Sequence, residues 1–304
     1  MPLRPLLALL ALAATWGGSY LLIAVALRST TPATLTLARF LPAAVLLVLL
    51  AAARGQLRGL RGRWRAVAVL ALAQQAGPML LIAIGERSIP SGLAGTLVAV
   101  TPLWGALLAP ALGVPRPSRT AWTVLLVGLL GVGLLLGVST DGAALLGCAA
   151  VLLAALGYAV GAAWTARRFP DVPRLGLLAA VLTCSTLWLV PPVLLDPPTR
   201  LPTVEGVLAM AVLGLIGTGL AFVLMYWLIA RVGPERTTLV TYLAPVFAVG
   251  YGTWLLDEEI TAPAVTGLVL VVGGAWLAGR RAKAGPGVPV ALPAQSGPVV
   301  PADR

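Results

Sequence analysis

The chain has 304 residues, of which 59% are hydrophobic and 10% charged, and its mean hydropathy is +0.98. Soluble domains carry roughly 25% charged residues, so this composition excludes a globule covered by water. The formal net charge is +11, yet the basic residues fill the short gaps between apolar blocks, which argues against a nucleic-acid binder.

A helix needs about 20 apolar residues to cross roughly 30 Å of hydrocarbon. In chain order the predicted spans are about 5–27, 33–53, 66–85, 91–112, 120–138, 143–165, 175–195, 205–230, 235–256 and 262–279. The opening Met1-Pro2-Leu3-Arg4 resembles a secretory signal, whose apolar stretch is about 7–15 residues. Here the apolar run continues past Trp16 to Leu27, so it is read as an uncleaved first span.

That first span also carries Ser19 and Tyr20. The second holds Arg39, the one cation inside a span. An arginine at that depth is costly; it either faces protein interior or a polar path, or snorkels to the interface. Gln74 and Gln75 lie in the third span. An unpaired amide in hydrocarbon costs several kcal/mol, so at least one should face a polar cavity or bond across helices. The fourth span contributes Thr101, Pro102 and Trp104, the sixth Tyr158, the eighth Tyr226, and the ninth Tyr242 and Pro245. Each proline deletes a backbone hydrogen bond and kinks its helix, freeing carbonyls near Val98 and Thr241 for neighbours or for a cavity. Aromatic belts account for ring residues near span ends without any function. The candidates for lining a substrate cavity are therefore Trp16, Tyr20, Arg39, Gln74, Gln75, Thr101, Pro102, Trp104, Tyr158, Tyr226, Tyr242 and Pro245. Beyond Lys283 the chain is rich in Pro, Gly and Ala, and residues 285–304 are predicted to be a disordered tail.

Loop charges orient the spans. With the N-terminus in the cytoplasm, seventeen basic residues fall inside, among them the cluster Arg54, Arg58, Arg61, Arg63 and Arg65, against Arg28, Arg87 and Arg200 outside. This positive-inside bias puts both termini in the cytoplasm, which requires an even number of spans; ten fits. Pro102 and Pro245 stand 143 positions apart, each about a dozen residues into its span. Gly131 and Gly274 match at the same offset, and Gly17 is matched nearly so by Gly157. The expected fold is all-helical and integral to the membrane, with residues 1–140 as one five-helix repeat and 141–284 as the second. Five is odd, so the second repeat enters from the opposite face; such inverted repeats place a site at the midplane between halves.

The chain has no histidine, and Cys148 and Cys184 show no metal-ligand spacing, so no cofactor and no metal are expected. A phosphate-binding loop of the G-x-x-x-x-G-K-[ST] type is missing, which excludes an ATP-driven pump. Glu86, Glu205, Glu258 and Glu259 sit near span ends. That argues against a simple buried-acid proton relay, although Glu86 could act at a cavity mouth. The competing class is a membrane enzyme acting on lipids, which needs paired acids, a histidine or an activated nucleophile at depth; none is visible.

The chain resembles the EamA branch of the drug/metabolite transporter superfamily. The matching stretches are Trp16-Gly17-Gly18-Ser19-Tyr20, Pro32 with Leu37-Ala38-Arg39-Phe40, Val100-Thr101-Pro102-Leu103, Leu243-Ala244-Pro245-Val246 and Leu256-Asp257-Glu258-Glu259-Ile260-Thr261. They cover about residues 5–280. The resemblance implies ten helices, cytoplasmic termini, a central cavity between halves and export of amino acids, metabolites or toxic compounds. The family usually carries an acid after the fourth span, where Gly113-Val114-Pro115-Arg116 stands here. An interior with few charges, several aromatics and two glutamines suits a neutral, zwitterionic or weakly amphipathic molecule. The expected partners are a small-molecule substrate and the lipid bilayer, with no nucleic acid.

Overall fold

The computed structural model describes residues 1–60, 62–109, 111, 142–259, 262, 265–270 and 273. The fifth predicted span, most of the tenth, the tail, and the Gly131 and Gly274 match lie outside the described residues.

Eight helices long and apolar enough to cross a membrane are present among the described residues: α1 Leu3–Leu27, α2 Pro32–Ala53, α3 Trp64–Gly85, α4 Ser91–Leu108, α5 Gly142–Arg168, α6 Arg174–Leu195, α7 Val204–Val232 and α8 Leu239–Leu256. They correspond to predicted spans one to four and six to nine. Their outward surfaces are apolar: Leu49 is 64%, Leu146 75% and Trp254 78% exposed. A soluble surface does not carry so wide an apolar belt, whereas lipid demands one.

Two helices change pitch at their centres. Leu72–Ala76 of α3 and Leu215–Leu220 of α7 are π-helical. The two segments begin 143 positions apart, the spacing of the two prolines. Local chemistry explains the first: Pro78 has no N–H to give Gln74, and Gly77 N–H bonds Leu72 across the wider turn. In the second, Gly214, Gly217 and Gly219 loosen the backbone, and Thr218 Oγ1 donates to the Leu213 carbonyl at 2.9 Å. A third irregularity interrupts α4, which ends its first part at Val98, turns through Ala99 and Val100, and restarts at Thr101 with Pro102 in the first turn. The carbonyl that Pro102 cannot bond, that of Val98, accepts from Thr101 Oγ1 at 2.7 Å. α8 runs unbroken through Pro245.

Helix pairing has a two-fold pattern. If α1 to α4 are matched in order with α5 to α8, the principal pairs exchange among themselves. α1 on α8 becomes α5 on α4, α1 on α7 becomes α5 on α3, and α2 on α7 becomes α6 on α3. α2 on α6 and α4 on α8 each map onto themselves. Glycines let these helices approach closely, as small residues do in membrane bundles. A Cβ on Gly17 would lie 2.5 Å from Phe247 Cβ on α8, and one on Gly157 would lie 2.7 Å from the Ala73 carbonyl on α3. These two glycines therefore serve different pairs, and their match in the sequence is not an equivalence of contacts.

Loop contacts sort the connections onto two faces. On the face of the N-terminus, Arg63 bonds Asp171 at 2.8 Å, and the guanidinium holds that carboxyl below the usual range. On the other face Thr31 Oγ1 donates to the Asp196 carbonyl at 3.2 Å, and Glu258 accepts from the N–H groups of Ser91 (2.7 Å) and Gly92 (3.0 Å).

Candidate functional site

A cavity of about 260 Å³ lies where both sets of helices meet. Its floor is at mid-helix, where the π segments of α3 and α7 and the break in α4 converge beside Pro245 of α8. From there it runs toward the face of the N-terminus, between the start of α6 (Arg174, Leu177), the second part of α7 (Met225, Tyr226) and the start of α8 (Thr238, Thr241). The opposite end is sealed by α4 on α8. A Cβ on Gly95 would stand 2.6 Å from Ala248 Cβ, and the Glu258 carboxylate caps the start of α4.

The wider turns aim polar side chains inward. Gln74 and Gln75 stand in the π segment of α3, and Gly217 and Thr218 in that of α7, all four lining the cavity. Gln74 Oε1 accepts from Thr165 Oγ1 of α5 at 3.3 Å, and Gly161 makes room for the glutamine side chain. Gln75 is buried, and its Oε1 has no donor among the described residues. Arg39 is 4% exposed and directs Nε at Thr218 Oγ1, 2.8 Å away. α7 can come this near to α2 because position 214 is glycine: a Cβ there would lie 2.8 Å from the Arg39 carbonyl. The arginine thus faces protein and cavity, not lipid.

Ten of the twelve residues singled out in the sequence meet around this cavity: Trp16, Tyr20, Arg39, Gln74, Gln75, Thr101, Pro102, Tyr158, Tyr226 and Pro245. Trp104 and Tyr242 do not. Both carry a buried polar atom without a partner among the described residues, Trp104 Nε1 and Tyr242 OH. Trp104 packs instead against an apolar cluster drawn mainly from α1, α3, α4, α5 and α7. Ser19, noted in the first span, and Thr241, near which Pro245 was expected to free a carbonyl, line the cavity as well; sequence reasoning missed Thr165, Arg174, Thr218, Phe222 and Thr238. Thr218 had a signal: Gly217 and Thr218 follow Gln74 and Gln75 by 143 positions, the proline spacing. Arg174 was counted as a loop charge, but it opens α6 and its Nη1 is buried without an acceptor. No acid lines the cavity among the described residues, and no group of three or more metal-ligating side chains occurs there.

The model of the EamA-like transporter family matches residues 3–137 and again 145–280. The inner membrane transporter YedA of Escherichia coli is 27% identical over 256 residues, which is 84% of this chain and 83% of that protein. The transporter YoaV of Bacillus subtilis is 21% identical over 280 residues, covering 90% of this chain and 96% of its own. A Streptantibioticus cattleyicolor protein named a probable terminal-alkyne amino-acid exporter is 27% identical over 275 residues, 88% of this chain and 90% of that one. One solved crystal structure superposes with a TM-score of 0.67 at 22% identity, covering 91% of this chain and 99% of the other, which supports the fold.

Proposed function

Because this chain belongs to the EamA-like transporter family, we propose that it exports small metabolites, such as amino acids or amphipathic compounds, across the cytoplasmic membrane by alternating access. The observation that carries this reading is the midplane cavity, bounded by matching irregularities of the two halves. The π segments and the prolines, each pair 143 positions apart, are where a rigid bundle would have yielded to a site. The cavity reaches toward one face while α4 and α8 close the other, as one end-state of a rocking cycle requires. The name of the Streptantibioticus relative adds weight to amino acids. In this reading residues 1–140 and 141–284 are inverted five-helix repeats, the spans number ten, residues 285–304 form a tail, and both termini are cytoplasmic.

Two measurements test it. Single cysteines at 141 and 61, in a chain lacking Cys148 and Cys184, should be labelled from outside at 141 and spared at 61 until cells are lysed. Inverted vesicles should take up amino acids or amphipathic compounds from a labelled panel. Transport of a sugar phosphate or a divalent metal alone would overturn the substrate class, and the reverse labelling would overturn the orientation.

A further inference from the structure

The cavity holds two guanidinium groups and, among the described residues, no carboxylate. Arg39 is buried and pinned: its one hydrogen bond among the described residues leaves Nε for Thr218 Oγ1, and Thr218 is itself tied to the Leu213 carbonyl. The two Nη groups, the fork that matches a carboxylate, have no protein acceptor there. Arg174 lines the same space with Nη1 buried and unpartnered. Glu86, the acid within electrostatic reach of Arg39, is not part of the lining and makes no bond to it; both its oxygens are buried without donors. A buried cation without a bonded counter-ion is costly, and that cost falls when an anion arrives with the ligand.

The remaining wall selects what the anion is attached to. Trp16 and Phe222 meet edge to face at 6.1 Å between centroids, and Tyr226 and Met225 continue the apolar side. To an ammonium ion the lining offers, among the described residues, ring faces and neutral oxygens but no carboxylate.

We infer that Arg39 is the anion subsite of the cavity, binding the carboxylate of a small monoanion whose apolar body lies against Trp16 and Phe222, with no ammonium group required. This rests on the cavity being the transport site, and it narrows the expected zwitterions and amphipathic compounds to those with a free carboxylate. A cationic amphipathic drug is rejected, since it would bring a third positive charge into a space that already holds two.

The test is a compound series on the purified full-length protein: 3-phenylpropionate, L-phenylalanine, L-phenylalaninamide, phenethylamine and phenyl phosphate. Ligand binding raises the melting temperature by mass action. The two carboxylates should raise it, while the amide and the amine should need at least about tenfold more ligand for the same rise, which is roughly 1.4 kcal/mol. Equal response to the amide, a stronger response to phenyl phosphate, or no response to any member would each overturn the inference. Arg39→Gln should abolish the carboxylate response, and Arg39→Lys should keep part of it because a point charge replaces the fork. Should the Arg39 variants fail to fold, the series on the unaltered chain still decides. Flux in proteoliposomes separates the two readings. Carboxylates that bind but never cross leave the subsite standing and defeat transport. Amides that cross as fast as carboxylates do the opposite.

Discussion

α4 and α8 carry the same proline at the same spacing, but only α4 is broken beside it. In α4 the interruption falls at Ala99 and Val100, just before Pro102; in α8 the irregular point is Thr238, a full turn and more before Pro245. Both breaks are stitched alike, Thr101 Oγ1 to the Val98 carbonyl and Thr241 Oγ1 to the Thr238 carbonyl, each at 2.7 Å. A missing N–H therefore permits a break without placing it. Packing makes the difference. α8 is clamped at its proline by α1, where a Cβ on Gly17 would come within 2.6 Å of the Ala244 carbonyl and 3.0 Å of Ala248 N. The second part of α4 packs on α5, with Leu103 and Trp104 in the shared apolar cluster, but a Cβ on Gly105 would meet no described atom within 4 Å. The lesson is mechanical: the clamped helix keeps its course through its proline, whereas α4 is interrupted just before its own.

The largest effect should come from breaking the clamp. Gly17→Ala forces a methyl into Phe247 and the α8 backbone, and overpacking of this kind costs about 1–3 kcal/mol. Isothermal denaturation in detergent should show that loss together with a fall in flux; an unchanged midpoint would mean α1 does not hold α8. Next comes the seal at the opposite end. Glu258 accepts two N–H bonds at the start of α4. Bonds to a charged acceptor are roughly twice as strong as neutral ones, so Glu258→Gln should lower stability by about 1–2 kcal/mol. It should also speed external labelling of a cysteine placed at Ala94, and labelling that stays slow would move the seal elsewhere. A smaller effect is expected from the prolines. Pro102→Ala restores a donor for the Val98 carbonyl, and one regained bond is worth about 0.5–1.5 kcal/mol, enough to favour a straight α4 and cut flux several-fold. Pro245→Ala, inside a helix already held straight, should change flux little, and equal effects from the two variants would erase the distinction.

Much of the fold was legible because lipid simplifies the reading. Every backbone group must be bonded within its helix, so span length and charged gaps located α1 to α8 to within a few residues. The candidate site was legible where a residue type is costly in hydrocarbon, as with Arg39, Gln74, Gln75 and the prolines. It was not legible where meaning depends on depth and rotation. Trp104 and Tyr242 look like Trp16 and Tyr158 in the sequence, and only helix packing turns them away from the cavity. Arg174 reads as one more loop arginine until the start of α6 is known to border the cavity. The π segments were hidden for a related reason: one extra residue in a turn leaves composition unchanged, and only the shared offset of 143 betrays them.

The smallest predicted effect is the sharpest check on the comparison, because it uses the same substitution as the largest. Gly105→Ala adds the methyl that Gly17→Ala adds, at a helical position of the second part of α4. Where there is room, alanine is the better helix residue by about 0.8–1 kcal/mol, and it also narrows the unfolded ensemble. Gly105→Ala should therefore leave stability unchanged or raise it by up to about 1 kcal/mol, opposite in sign to Gly17→Ala. Stiffening this segment does not mend the break at Ala99 and Val100, so flux should stay within about twofold of the unaltered protein, since less than 0.5 kcal/mol is at stake at the hinge itself. If Gly105→Ala instead destabilises as much as Gly17→Ala, the second half of α4 is gripped as firmly as α8 is at its proline.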